Sequence, residues 1–505
     1  MMEFIDKFLD KLTMYRLVLY YLLLLFVIAF GYSIIGILHF NPFQLVFSTV
    51  FLVIVSWVTN KIFSKTFNAP ANVESVYITS LILALIISPA HSFSGYMFLF
   101  WAGVLSMASK YIFAIGKKHI FNPVAVAVVI TALTLVGSAS WWIGTLPMLP
   151  FELLGVLIVR KIRRIDLVFY FFVSAFSSML FFTILQGGNI LQIFQGVFIA
   201  SSIFFFAFVM LTEPLTTPPT KKLQGIYGAF VGILFAPQFH IGSFYTTPEI
   251  ALVLGNIFSY VVSPKAKLIS PLMEKRRIGA DIFDFLFAPT NPLAFSPGQY
   301  MEWTLPHEKT DSRGNRRYFT IASSPTENTV RLGVRFYQNG SSFKNALLSM
   351  QPNSKIVGAQ ISGDFTLPKD KKKKLVFLAG GIGVTPFRSM LKYLLDKNES
   401  RPIVMFYANK RMDEIVYVDV FNQAQRQLGV KMVYTLTDKA VSPQDWRGRI
   451  GRIDAAMIQQ EVPDYKERTF YLSGPHAMVA SYERVLRRMG IPEAQIKKDF
   501  FPGFA

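Results

Sequence analysis

Four short segments of the chain carry residue types that could do chemistry. The first is Leu375-Val-Phe-Leu-Ala-Gly-Gly-Ile-Gly-Val-Thr-Pro386, an apolar strand running into a glycine-rich turn and a helix start. Gly380, Gly381 and Gly383 let the backbone approach a ligand closely, and the first N–H groups of a helix are open donors suited to a pyrophosphate. Pro386 suits that first turn because its missing N–H would have no partner there. The second segment is Arg317-Tyr-Phe-Thr-Ile-Ala-Ser-Ser-Pro325, which follows Phe295-Ser-Pro-Gly-Gln-Tyr300. An arginine can pair with phosphate, an aromatic ring (Tyr318 or Phe319) can stack on a flat heterocycle, and Thr320 can hydrogen-bond its edge. The third, Gly340-Ser-Ser-Phe-Lys-Asn-Ala-Leu347, is a small-residue turn opening a short helix, again fit for phosphate oxygens. The fourth, Thr469-Phe-Tyr-Leu-Ser-Gly-Pro-His-Ala-Met478, ends a strand in a turn at the sheet edge where α/β folds bind ligands. Each segment also has a plainer reading, as an ordinary strand, a capped surface helix or a loop.

These segments need elements to position them. From Arg276 to Leu367 short alternating runs are broken by Pro, Gly, Asn and Asp, which predicts an antiparallel β-barrel. From Lys374 onward, apolar strands near 375–379, 402–408, 431–437 and 469–473 alternate with amphipathic helices, which predicts a parallel α/β sheet. The lysine run 371–374 marks the boundary; it reads as a solvated linker rather than a lipid-binding patch.

The first half of the chain is different. Of the 505 residues 52% are hydrophobic, and residues 1–270 hold only 16 of the 51 Lys+Arg and 8 of the 31 Asp+Glu. Ten apolar stretches lie near 15–37, 42–60, 75–90, 94–114, 120–137, 143–159, 166–187, 195–211, 223–238 and 247–264, most close to the length that crosses a bilayer as a helix. With that count, all 16 basic residues fall on one set of alternate loops and none on the other. Basic loops mark the cytoplasmic side. The reading is therefore a multi-pass membrane domain at 1–268, with both its ends and the remaining residues cytoplasmic. A barrel domain follows at 272–370 and an α/β domain at 371–505. The acidic lead (Glu3, Asp6, Asp10) and the lack of a small-residue cleavage site argue against a signal peptide. The chain has no cysteine, so disulfides, thiolate zinc, cysteine-ligated iron–sulfur clusters and a cysteine nucleophile are excluded. The net charge of +20 is in part a topology signal and implies no nucleic-acid partner.

Taken in order, the four segments resemble the ferredoxin–NADP reductase family over residues 272–505. The resemblance implies FAD held by Arg317, Phe319 and Thr320, with Tyr318 between them, and by Gly340, Ser341, Ser342 and Phe343. It implies NAD(P)H held by Gly380, Gly381, Gly383, Thr385 and Pro386. The family's Cys-Gly-Pro motif beside the nicotinamide appears as Ser473, Gly474 and Pro475. Hydride then passes directly between the two rings, with Ser473 and Thr320 as the residues nearest the reaction. Serine for cysteine alters positioning and rate, not the type of reaction. The segment Asp499–Phe504 looks like the family's terminal segment, so Phe501 or Phe504 would shield the flavin; a closing edge strand is the equal alternative. Asn409-Lys410-Arg411 follows the second strand of the sheet, where Lys410 and Arg411 would meet a 2′-phosphate or simply be solvated. NADH and NADPH stay equally open.

The first half, over most of residues 70–260, resembles the RnfD/NqrB membrane subunits of electron-transport complexes. The matching segments are Lys110–Pro123, Trp141–Arg164 and Met210–Pro219. The loop that carries those subunits' covalent FMN is absent here. The implied cofactor is a second, non-covalent flavin (FMN or riboflavin) near Asn122 and Glu213, with Pro-broken helix ends needed for folding as the alternative. The expectation is a membrane-bound, FAD-dependent NAD(P)H oxidoreductase passing electrons to a quinone or second flavin, with the bilayer and further electron-transport subunits as the partners the resemblance implies. Two alternatives remain. One is a haem-bearing transmembrane reductase of the ferric reductase/NADPH oxidase type, for which His39, His91, His119 and His240 are poorly spaced. The other is a redox-gated transporter, with Glu152 the main intramembrane charge.

Overall fold

The computed structural model of the chain describes residues 9, 12–67, 73–115, 118–134, 137–189, 196, 202–242, 244–263, 268–289, 293–307, 310–311, 314–338, 340–438 and 446–499. Phe501 and Phe504, and residues 195 and 197–201 of the stretch expected near 195–211, lie outside them. The chain divides into two compact units, Met1–Ala266 and Lys267–Ala505.

The first unit is helical. Its main helices are α1 (Met14–Ile34), α2 (Pro42–Thr66), α3 (Val73–Ile86), α4 (Phe93–Ile112), α5 (Pro123–Thr134), α6 (Val156–Ile162), α7 (Ile165–Leu185), α8 (Lys221–Phe235) and α9 (Pro248–Val262). Local sequence sets their starts. Asn41 accepts the Phe43 N–H at 2.9 Å with Pro42 in the first turn, and Thr247 caps α9 ahead of Pro248. Glycines let helices touch backbone to backbone. A Cβ on Gly228 or Gly232 would lie 2.4 Å from the Leu167 carbonyl oxygen or 2.5 Å from that of Phe171, so α8 sits directly on α7.

Among the described residues three helices, α1, α2 and α7, are long and apolar enough to cross a membrane. Their outward faces are apolar as well: Phe43 is 83% exposed on α2, and Phe169, Phe181 and Leu185 are exposed on α7. Among the described residues the other expected stretches do not form helices of full spanning length and composition. The stretch expected near 143–159 is a broken path, Leu149–Glu152, a 3-10 turn at Leu153–Gly155 and then α6, closed by Arg163 at φ +56°. Pro147 and Pro150 remove backbone donors there, which apolarity alone does not report. From the stretch near 195–211 the described part is a short helix, Ile203–Phe205, passing into a π-helical turn at Phe206–Met210.

The basic residues gather helix ends. Arg16 at the start of α1 pairs with Glu74 at the start of α3, and Lys110 at the end of α4 bonds Ser75 and Thr79. Lys161 bonds the Leu9 carbonyl, Arg164 bonds Thr217, and Lys221 pairs with Asp166. At the opposite end, Trp141 N–H bonds the Ile86 carbonyl and Ala90 N–H bonds Ser48 in the first turns of α2. Helices α1 to α4 therefore alternate in direction, α7 and α8 both start at the end where these basic residues lie, and the contacts of Gly228 with Leu167 and Gly232 with Phe171 run in parallel register.

The second unit holds two sheets. The first contains β1 (Leu268–Arg277), β2 (Ile282–Phe287), β3 (Tyr300–Thr304), β4 (Arg316–Thr320), β5 (Val330–Arg335) and β6 (Lys355–Ser362), in the antiparallel order β4-β3-β6-β1-β2-β5. Ala322 N–H reaches the Arg331 carbonyl at 2.9 Å, joining the two edges into a nearly closed barrel around Phe285, Phe287, Trp303 and Phe343. β1 begins at Leu268, four residues ahead of the expected boundary at 272. Leu268-Ile269 continues the apolar composition of the helical half, so the transition is not visible in composition. The second sheet contains β7 (Leu375–Gly380), β8 (Ile403–Asn409), β9 (Lys431–Leu436), β10 (Arg449–Ile450), β11 (Thr469–Ser473) and β12 (Ile496–Asp499). All neighbours are parallel, in the order β10-β9-β8-β7-β11-β12. β7 and β8 are buried along their whole length, as strands covered on both faces must be. Helices α10 (Ser342–Ser349), α11 (Thr385–Asp396), α12 (Val418–Leu428) and α13 (His476–Arg488) belong to this unit.

Candidate functional site

The strand order of the parallel sheet reverses between β7 and β11. Connections from β7 proceed outward to β8, β9 and β10, and the chain then returns to β11 and β12 on the other side. The carboxyl ends of β7 and β11 therefore flank a switch point, where ligands of such sheets bind. The structure brings two of the expected segments together there. A Cβ on Gly383 would lie 2.4 Å from Gly474 Cα and 2.6 Å from the Ser473 carbonyl oxygen, and one on Gly380 would overlap Met478 Sδ at 2.0 Å. These two glycines are needed for packing of turn on turn. Gly381 differs: at φ +52° its Cβ direction is open, with Arg335 Nη1 the nearest atom at 3.8 Å. That is a backbone a ligand can approach, beside a guanidinium. Thr385 and Pro386 form the first turn of α11, and Ser473 is buried.

On the barrel, Arg317 and Phe319 share one face of β4, while Thr320 and Tyr318 share the other. The Arg317 guanidinium carbon lies 5.4 Å from the Phe343 ring centre, and the Phe319 and Phe343 rings are 6.0 Å apart. Thr320 is paired with Tyr300, and the Tyr318 hydroxyl donates to Glu302 at 2.8 Å. The start of α10 is engaged within the chain. Ser341 Oγ caps it through Lys344 N–H, and Ser342 N–H donates to the Asp311 carboxylate at 2.9 Å. Gly340 precedes this turn, with its N–H on the Tyr337 carbonyl at 3.0 Å. A phosphate at this helix start competes with Asp311 for the same N–H.

The two regions are tied by residues that sequence reasoning did not single out. Arg388, on α11 and 4% exposed, donates from Nη1 to the Ala322 carbonyl at 2.9 Å and holds the Glu327 carboxylate with both Nη atoms. Ser389 Oγ donates to the Ser323 carbonyl at 2.6 Å. The helix that starts at the glycine turn is thus bonded to the residues that follow Thr320. Burial alone would raise the Glu327 carboxyl, but the Arg388 guanidinium and the Ser324 N–H hold it below the ordinary glutamate range. A second tie joins Asp284 on β2 to Arg331 on β5 and to the Tyr417 hydroxyl. Tyr417 itself stands at φ +60°, strained backbone for an aromatic residue. A charged residue on the otherwise apolar face of α11 was the available signal for Arg388.

At the end of β8, Asn409 is buried and Lys410 and Arg411 are exposed. Lys410 N–H donates to Glu414 at 3.2 Å, and Arg411 pairs with Asp413 at 3.1 Å.

In the helical unit the Asn122 and Glu213 segments do meet. Asn122 Nδ2 donates to Glu213 at 2.9 Å, His119 Nε2 lies 3.3 Å from the same carboxylate, and Asn122 N–H reaches Asn256, which bonds Tyr227. His39, His91 and His240 are exposed in connections between helices. No two of the four histidines face each other from the helices, and among the described residues no group of three or more metal-binding side chains occurs.

Residues 377–484 match the family model of the oxidoreductase NAD-binding domain. The chain is 24% identical over 245 residues to a flavohemoprotein of Halalkalibacterium halodurans, covering 45% of this chain and 58% of that protein. It is 24% identical over 225 residues to the glycine betaine monooxygenase reductase subunit of Chromohalobacter salexigens, covering 44% and 60%. The chain thus spans a little under two thirds of the length of these curated relatives. Among solved structures, the flavohem-like FAD/NAD-binding domain of nitric oxide dioxygenase from Vibrio cholerae matches with a TM-score of 0.41 and 20% identity, covering 46% of this chain and 98% of that one.

Proposed function

We propose that this chain is a membrane-bound, FAD-dependent NAD(P)H oxidoreductase that passes electrons to an acceptor at its helical unit. The observation that carries the reading is the meeting of the Gly380–Pro386 and Ser473–Pro475 turns at the switch point of an oxidoreductase NAD-binding domain, bonded through Arg388 and Ser389 to Ala322 and Ser323, which follow Thr320.

The residues fit the two nucleotides. The Gly381 backbone and the first turn of α11 suit a pyrophosphate, with Arg335 supplying charge beside it. Arg317 and Phe319 offer a cation and a ring on the barrel, and Thr320 a hydroxyl at the end of β4. When bound, FAD accepts a hydride from the nicotinamide and can release electrons singly or in pairs. The chain's own contribution is to place the two nucleotides. Gly383 and Gly474 hold the turns in contact, Ser473 sits at the end of β11, and the α11 seam fixes the glycine turn against the flavin strand. No side-chain acid or base is needed for a direct hydride transfer. The expected domains, 1–268, 272–370 and 371–505, describe the same division of labour, with the barrel extended back to Leu268 so that it holds all of β1.

Membrane insertion is supported by three spanning-length helices, by their apolar outward faces and by the collection of basic residues at one end of the bundle. On the RnfD/NqrB-like reading the remaining apolar helices also span, the basic end faces the cytoplasm, and the acceptor is a quinone or a second flavin beside Asn122, His119 and Glu213. Proteoliposomes given NADH or NADPH and a soluble quinone test this. Nucleotide-dependent quinol formation, lost in Asn122→Ala with flavin reduction intact, supports it; reduction of flavin with no quinone turnover opposes it.

A further inference from the structure

Glu152 lies inside the helical unit, 1% exposed, where the broken segment passes into its 3-10 turn. Its Oε2 accepts the Phe205 N–H at 3.1 Å, just ahead of the π-helical turn Phe206–Met210. Its Oε1 is buried and meets no donor. The other side chain held against this residue by a hydrogen bond is Tyr21, whose hydroxyl donates to the Glu152 backbone carbonyl at 2.9 Å. Gly155 closes the neighbourhood: a Cβ there would lie 2.9 Å from Phe208 and 3.1 Å from the Tyr21 hydroxyl. No lysine, arginine or histidine pairs with Glu152 among the described residues. Glu213 in the same unit is different, because both of its oxygens have partners.

A carboxyl oxygen enclosed by apolar groups is not left bare. In the ionised state it needs a cation against it, and in the neutral state it carries its proton. In either state one cation occupies Oε1. The bond to Phe205 does not explain a carboxyl, since the amide oxygen of glutamine would accept it equally well. The π-helical turn adds a second unusual feature at this spot, of a kind frequent at functional positions.

We propose that Glu152 is an exchangeable monovalent-cation site within the helical unit, taking a proton or Na+ at Oε1. The test uses the full chain in detergent and dicyclohexylcarbodiimide, which adds to a protonated carboxyl in apolar surroundings. Adduct on the Glu152 peptide is read by mass spectrometry across a pH series, with NaCl against KCl at constant ionic strength, and with Glu152→Gln as the unlabelled control. Labelling at low pH that falls about tenfold per pH unit above its midpoint supports the proposal. Suppression by Na+ but not K+ makes the ion sodium; indifference to Na+ makes it a proton. Labelling of Glu152 that ignores both pH and Na+ would show a permanently protonated structural acid and overturn the proposal. So would adducts confined to other carboxyls in every condition, together with no carboxylic C=O infrared band lost in Glu152→Gln. No nucleotide or flavin enters the assay, so its outcome is independent of the proposed oxidoreductase activity.

Discussion

Arg388→Gln is the perturbation that tests how the glycine turn is positioned. The wild-type guanidinium is buried and bonds both the Ala322 carbonyl and the Glu327 carboxylate. Removing it leaves a mostly enclosed carboxylate without its cation, a loss of about 3–5 kcal/mol if nothing rearranges. Part of that loss is recovered by glutamine bonding one partner, or by movement that lets water reach Glu327. Movement is the informative route, because a shift of roughly 1 Å between reacting groups costs on the order of a hundredfold in rate. The assay is anaerobic stopped-flow bleaching of the bound flavin by NADPH and by NADH, with FAD content and nucleotide affinity measured on the same preparation. Flavin reduction is expected to slow by about a hundredfold with FAD content near unity and nucleotide Kd changed little. The variant Glu327→Gln, which keeps the hydrogen-bonding shape, should slow it less, and the double variant should show coupling of the two positions. Reduction at the wild-type rate in Arg388→Gln would refute the seam as a positioning device. Loss of FAD and rate together would make it merely structural.

Other outcomes follow from the same geometry. Gly383→Ala puts a Cβ into the Gly474 backbone and should lower Tm with loss of both turns, whereas Gly381→Ala, in open space at φ +52°, should cost about 1 kcal/mol and act mainly on nucleotide KM. Asp311→Ala frees the Ser342 N–H and should tighten FAD binding by about tenfold in a fluorescence titration of the apoprotein; weaker binding would place the phosphate elsewhere. If Lys410 and Arg411 meet a 2′-phosphate, Lys410→Glu should raise KM for NADPH by about tenfold and leave NADH unchanged. The Asp464 carboxyl is held at about 2 by hydrogen bonds from Arg468 and Lys374. Its depressed value means that the stability it supplies is present above its ordinary 3.8 and is lost as pH falls towards about 2. Because the site is partly exposed, Asp464→Asn should cost only about 1 kcal/mol at neutral pH in urea melts, with the difference vanishing in strong acid.

What the sequence disclosed was what local chemistry encodes. The strand-turn-helix at 375–386 is written in consecutive residues, and so is the alternation of the parallel sheet, because buried strands read as continuous apolar runs. The Asn122 and Glu213 segments stood out in the sequence as a place for a second flavin or as Pro-broken helix ends; that the two side chains bond each other at 2.9 Å is something only the structure shows. What escaped was long-range or steric. Arg388 and Glu327 are 61 residues apart, and neither has a neighbour in sequence that announces the other. The Asp284–Arg331–Tyr417 tie joins three elements in the same way. The interruption of the stretch at 143–159 comes from prolines and a glycine packed against Phe208, which a count of apolar residues cannot register. The start of the barrel at Leu268 was hidden because its first residues are as apolar as the helices before them.

The central claim is that one chain holds FAD and passes electrons to it from a nicotinamide nucleotide. The direct measurement is to purify the full-length protein in detergent, release and count its flavins with acid, record its visible spectrum, and titrate it anaerobically with NADH and NADPH. One releasable FAD per chain, bleached stoichiometrically by at least one of the two nucleotides, is the predicted result. A haem Soret band, or a flavin that neither nucleotide bleaches, would contradict it.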